Sequence, residues 1–183
     1  MLEQVLVAGF GGQGVLSTGQ LLAYAGMHEG KHVSWIPSYG PEMRGGTANC
    51  GITVSDLEIS SPMVSEPTAL IVMNRPSLEK FEKDVVPGGL ILVNSSLIGS
   101  KVEREDLRVL YIPANEIAEG LGNGRVANNI ILGALLKATG VVSADAVIAS
   151  LKQVLPKHRH NLIEVNREAL GEGMKLANGN GAA

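Results

Sequence analysis

The sequence predicts an α/β fold, a single domain with a mainly parallel sheet flanked by helices and a helical C-terminal third. Three observations lead there. Short β-branched apolar runs alternate with a helical pattern early in the chain, glycine or proline closes each run, and the last third keeps helical spacing without a further strand. The 183 residues, 45% of them hydrophobic, suit one core. The 23 glycines exceed a norm of about 7% with no repeat to absorb them, so they serve particular backbone positions.

From Gln4 to Phe10, the run Val5-Leu6-Val7-Ala8 reads as a strand buried on both faces. Residues 13–28 read as a helix through Val15, Leu16, Leu21, Leu22 and Ala25, with Ser17, Thr18 and Gly19 small enough for close contact with a sheet. This is the first half of a βαβ unit. His32-Val33-Ser34-Trp35-Ile36 is the second strand, ended by Pro37. Residues 37–46 form a structured loop, 47–54 a strand, 59–62 a turn and 69–73 another buried strand.

Pro76 suits the first turn of a helix in which Leu78 and Phe81 face inward. The turn Pro87-Gly88-Gly89 leads into a strand at 90–93, and a last strand covers 109–112. Residues 126–139 are apolar nearly all round and predict a buried helix. An amphipathic helix at 144–155 follows, with Ser143 as cap, and then a weaker helix at 161–177. The domain is therefore placed at 1–178, with 179–183 a disordered tail.

Gly9-Phe10-Gly11-Gly12-Gln13-Gly14 satisfies G-x-G-x-x-G between a predicted strand and a predicted helix, the context in which the pattern is Rossmann-like. Glycines let backbone N–H groups approach an anion, and the following helix start carries roughly half a positive charge. Gly9, Gly11, Gly12, Gln13 and Gly14 are thus candidate ligand-binding residues. A tight turn that simply packs a helix on a sheet is the competing reading. An acid for a ribose hydroxyl is missing, because Ile36, Pro37 and Ser38 occupy its place.

The loop after the second strand offers Ser38, Tyr39, Glu42 and Arg44 on a glycine and proline frame, suited to a ligand or another subunit. Ordinary surface charge is the alternative for Glu42 and Arg44. No nucleophile, base and orienter set is legible, so no catalytic residue is assigned. His158-Arg159-His160 reads as a solvated turn, Cys50 as a small core residue, Asn128 and Asn129 as caps with ligand contact the alternative, and no metal site is expected.

The net charge of −3 and 3% aromatic content argue against nucleic acid. No apolar run reaches about 18 residues, the least a membrane span needs. One cysteine and an N-terminus without signal-peptide features point to a cytoplasmic protein.

The segments 9–15 and 37–49, read together, resemble the gamma subunit of 2-oxoacid:ferredoxin oxidoreductases. Further similar stretches at 54–62, Met73-Asn74 and 128–133 extend the resemblance over roughly residues 3–175. The resemblance implies a Rossmann-type domain that is inert alone. Its complex would oxidatively decarboxylate a 2-oxoacid with coenzyme A to acyl-CoA, carbon dioxide and reduced ferredoxin. Thiamine diphosphate, magnesium and iron–sulfur clusters would reside on partner chains, with coenzyme A as co-substrate. The implied partners are alpha and beta chains, with delta a further candidate, and ferredoxin through the complex.

The Ser38–Gly46 motif looks more like the 2-oxoglutarate and branched-chain types than the pyruvate type, and 2-oxoglutarate is favoured. Two alternatives remain open. One is a stand-alone nucleotide- or acyl-CoA-binding module; the other is an NAD(P) or flavin oxidoreductase. Expressed alone, the chain is expected to form a homodimer.

Overall fold

A computed structural model describes residues 1–38 and 47–179. Six strands form one sheet in the order β2-β3-β1-β4-β5-β6. They are β1 (Leu2–Phe10), β2 (His32–Ser38), β3 (Thr47–Ser55), β4 (Ala69–Val72), β5 (Leu90–Asn94) and β6 (Arg108–Ile112). β1, β4, β5 and β6 run parallel, whereas β3 lies antiparallel between β1 and β2. The sheet is mixed, and β1 and β2 are not neighbours, so the expected βαβ unit has a strand inserted through its middle.

The helices are α1 (Val15–His28), α2 (Arg75–Phe81), α3 (Ala114–Gly120), α4 (Ala127–Thr139), α5 (Ala144–Val154) and α6 (Ile163–Gly179). α3 is absent from the sequence reading, because Glu116 and Glu119 are exposed and its fully buried residues are only Ala114 and Ala118, with Asn115 and Ile117 half-buried. α6 carries the domain through Gly179, one residue into the expected tail, whose other residues lie outside the described ones.

Alternation along each strand sorts the core into two layers. Val5 and Val7 of β1 join α1, α3, α4, α5 and α6 on one face. Leu6 joins Leu78, Val85 and Ile98 on the other, beneath α2. α4 is sandwiched, with every residue from Ala127 to Leu136 buried, as its all-round apolar pattern requires. α6 crosses it closely: a Cβ on Gly133 would strike the Leu170 backbone, and one on Gly173 the Ile130 carbonyl.

Pro37 lies inside β2 rather than ending it. The Asp56 N–H donates to the Met1 carbonyl at 3.0 Å, which fixes the alternation of the β1–β3 ladder. Val54, Ile52 and Cys50 therefore turn their backbone groups toward β1, while Thr53, Gly51 and Asn49 turn theirs toward Ser34, Ile36 and Ser38. Val33, Trp35 and Pro37 point theirs outward, away from the sheet. A proline is tolerated there because no ladder bond asks for its missing N–H.

Candidate ligand cleft

The Gly9–Gly14 turn stands at the edge of the sheet where the parallel strands end, which is where α/β sheets bind ligands. Its conformation is glycine's own. Gly12 has φ 92° and Gly14, the N-cap of α1, has φ 79°. Gly9 is required by space: a Cβ there would fall 2.7 Å from the Met73 Cβ. No side chain caps α1, so its first N–H groups stay available at the positive end of a 14-residue helix. Gly11 and Gly12 are exposed above them.

Gln13 works on the turn itself. Its Oε1 accepts the Phe10 N–H at 2.6 Å, and its Nε2 donates to the Met73 carbonyl at 3.0 Å. The amide thus ties the turn to the end of β4, and a ligand contact would compete with both bonds. Thr18 donates to the Gly14 carbonyl at 2.9 Å, and Asn128 donates to Thr18 at 3.1 Å.

Beside the turn lies a cleft of about 250 Å³ between α1, the start of α4 and the 3-10 segment Lys157–Leu162. Gly12 and Gly14 line one wall; Arg125, Asn129, Arg159 and Asn166 line the others. Asn129 donates to Asn166 Oδ1, while its own buried Oδ1 has no partner. Among the described residues neither arginine has a carboxylate partner. A hollow of about 330 Å³ beside α2 is larger, but its Arg104 is already committed to Asp106, at 2.5 Å, and to the Val85 carbonyl. The smaller cleft is the better anion site.

Ser38 is exposed at the end of β2, opposite Asn49. Thr47 resumes the chain opposite Phe10, so the ends of the intervening segment flank the glycine turn. Tyr39, Glu42 and Arg44 lie outside the described residues. Arg125 and Asn166 escaped the sequence reading, and Arg159 entered it only as part of a solvated turn. Gly122-Asn123-Gly124 beside Arg125 was a signal of sorts; Arg159 carried none, since its position depends on how the segment before α6 folds back.

Asn128 and Asn129 are not caps. They join α4 to α1 and α6, while Asn123 accepts the Arg125 N–H. His160 Nε2 donates to the Leu155 carbonyl, 3.0 Å away, within a 3-10 turn on which His158 and Arg159 are exposed, in keeping with the solvated turn read from the sequence. Among the described residues no three His, Cys, Asp or Glu side chains converge as metal ligands. Cys50 is buried, with its Sγ 3.5 Å from the Val15 carbonyl. That donor set does not fit an iron–sulfur cluster or a magnesium diphosphate. No helix among the described residues is long and apolar enough to cross a membrane.

A family model described as pyruvate ferredoxin/flavodoxin oxidoreductase matches residues 4–176. The ketoisovalerate oxidoreductase subunit VorA of Methanothermobacter marburgensis is 46% identical over 142 residues, covering 78% of this chain and 29% of that one. The chain thus spans less than a third of that relative's length. The 2-oxoglutarate synthase subunit KorC of the same organism is 34% identical over 186 residues, covering 96% of this chain and 100% of that one. Among solved structures, the keto/oxoacid ferredoxin oxidoreductase gamma subunit of Geobacter sulfurreducens superposes with a TM-score of 0.82 at 29% identity, covering 96% and 98% of the two chains.

Proposed function

Because the chain belongs to the pyruvate ferredoxin/flavodoxin oxidoreductase family, we propose that it is the gamma component of a 2-oxoacid:ferredoxin oxidoreductase, inert alone and active beside alpha and beta chains. The observation that carries this reading is the anion-ready cleft between the glycine turn, Arg125 and Arg159, in a chain that the family model spans from residue 4 to residue 176. Coenzyme A is the co-substrate with matching chemistry, since it brings phosphate groups to an uncapped helix start and two unpaired guanidiniums.

The roles follow from the geometry. Gly9, Gly11, Gly12 and Gly14 shape the turn, Gln13 holds it to β4, and Arg125 and Arg159 draw in negative charge. Ser38, Tyr39, Glu42 and Arg44 belong to the same proposal as contacts to coenzyme A or a neighbouring subunit. Thiamine diphosphate, magnesium and the iron–sulfur clusters belong to partner chains, where the group supplies decarboxylation and electron transfer to ferredoxin. The 2-oxoacid is 2-oxoglutarate in this proposal, on the Ser38–Gly46 motif. Relatives named for 2-oxoglutarate and for ketoisovalerate are both compatible with it. A cytoplasmic location fits the same reading.

The test is reconstitution. The complex assembled with this chain should reduce ferredoxin in a coenzyme A-dependent reaction, and the complex without it should not. The double change Arg125→Ala with Arg159→Ala should raise KM for coenzyme A about tenfold or more, with kcat nearly kept. Unchanged activity without the chain would overturn the proposal. Tight binding of NADH, NADPH or flavin to the isolated chain would favour the autonomous oxidoreductase instead.

A further inference from the structure

We propose that Asn129 determines which base the cleft accepts: its Oδ1 takes a hydrogen bond from the exocyclic amine of an adenine, with Asn166 as the residue that positions it. The inference rests on the cleft being the coenzyme A site and adds which part of that molecule enters it. Its starting point is an unmet acceptor. Asn129 is 2% exposed and forms part of the cleft wall, yet its Oδ1 has no hydrogen-bond partner. A buried acceptor without a donor is costly, and a ligand that brings the donor removes that cost.

A chain of amides fixes which end of Asn129 is free. The Leu162 carbonyl can only accept, so Asn166 turns its Nδ2 to it, at 2.5 Å. The Asn166 Oδ1 then faces α4, and Asn129 answers with its own Nδ2. Turning the Asn129 amide over would set two oxygens against each other. The group left free is therefore an acceptor, and it selects a ligand that donates.

The surroundings choose the kind of donor. Leu151, Val154, Leu155 and Leu162 line the same cleft and suit the faces of a flat ring. Arg125 and Arg159 are exposed, as is Gly12 of the turn beside them. A nucleotide with its phosphates outward and its base inward matches both ends of that arrangement. Adenine carries an amine where hypoxanthine carries a carbonyl oxygen, so only adenine meets the Asn129 Oδ1 with a donor. That oxygen is out of contact with water, and the ring reaches it by parting the Lys157–Leu162 segment from α4. Among the described residues no hydrogen bond joins those two elements.

The experiment measures competition against coenzyme A in the reconstituted complex. The probes are adenosine 3′,5′-bisphosphate and inosine 3′,5′-bisphosphate, which share sugar and phosphates and differ in that one amine. Wild type should bind the adenosine compound about tenfold or more tightly. Asn129→Leu should bring the ratio of the two inhibition constants close to one. Asn166→Leu, which lets the Asn129 amide turn over, should lower the ratio as well. Arg159→Ala should weaken both probes about equally and keep the ratio, because its partner is phosphate.

Equal inhibition of the wild-type complex by the two probes would overturn the proposal, and so would a ratio that survives Asn129→Leu. Neither result touches the coenzyme A dependence that tests the gamma assignment. If neither probe competed with coenzyme A, the base selection and the cleft's role as the coenzyme A site would fall together.

Discussion

Asn128 and Thr18 are joined across 110 residues of sequence: the Asn128 amide donates to the Thr18 hydroxyl at 3.1 Å, and that hydroxyl donates to the Gly14 carbonyl at 2.9 Å. The start of α4 is thereby bonded to the turn that caps α1. Two walls of the cleft are held by one chain of hydrogen bonds, so the site's geometry depends on a helix that begins far along the sequence.

Gly14→Ala tests that coupling. The new Cβ would stand 2.6 Å from the Asn128 Cγ, on a residue whose φ is +79°. The expected cost is about 1–3 kcal/mol in urea unfolding, part strain and part clash. Adding Asn128→Ala should relieve the clash but not the strain, so the double variant should fall short of the summed single costs.

Gln13 separates the turn's scaffold from its ligand chemistry. Gln13→Glu keeps the acceptor for the Phe10 N–H but leaves the Met73 carbonyl without its donor and adds negative charge before α1. It should cost about 1 kcal/mol or more of stability. Because the added charge also repels an anion at the helix start, it should weaken coenzyme A binding, measured by calorimetry on the complex, beyond the loss seen for Gln13→Leu.

Two glycines of α6 should respond with opposite signs. A Cβ on Gly173 would run into the Ile130 carbonyl of α4, whereas one on Gly171 meets nothing within 4 Å. Gly173→Ala should lower stability by about 2 kcal/mol or more through forced separation of the helices. Gly171→Ala should raise it by about 0.5–1 kcal/mol, since alanine is the better helix former. Matched urea titrations of the two variants give the comparison.

Cys50 makes a pH prediction. Burial pushes its thiol up to about 12, against hydrogen bonding near Trp35 and Gly19 that acts the other way; the ordinary value is 9.0. The folded state therefore holds this proton after the unfolded chain has lost it. Its stabilising contribution is whole below about pH 9 and declines as pH rises toward about 12, at no more than about 1.4 kcal/mol per pH unit. Cys50→Ala should lack that part of the alkaline loss. In the native protein at pH 8, a thiol reagent should react at least about 100-fold more slowly than in urea.

The strands at β1, β4, β5 and β6, the glycine turn and the buried character of α4 were legible because each is written in local spacing: β-branched runs, a G-x-G-x-x-G at a strand end, apolar residues on every side of a helix. Gly9, Gly12 and Gly14 stand where space or positive φ demands glycine. Gln13, a candidate ligand contact in the sequence, braces the turn through Phe10 and Met73 in the structure. Arg159 was read as part of a solvated turn and Asn166 not at all, because nothing local says that residues near the C-terminus return to a turn near the N-terminus.

Local chemistry alone was enough for the α/β class, the position of the anion-ready turn and the one core, because backbone preference and hydrophobic period act over a few neighbouring residues. The antiparallel insertion of β3, the outward backbone of Pro37 and the meeting of Gly14, Asn128 and Arg159 emerged only on folding. Strand order and cleft walls are contacts between distant segments, and their energies exist only once the whole sheet is assembled and its helices are laid across it.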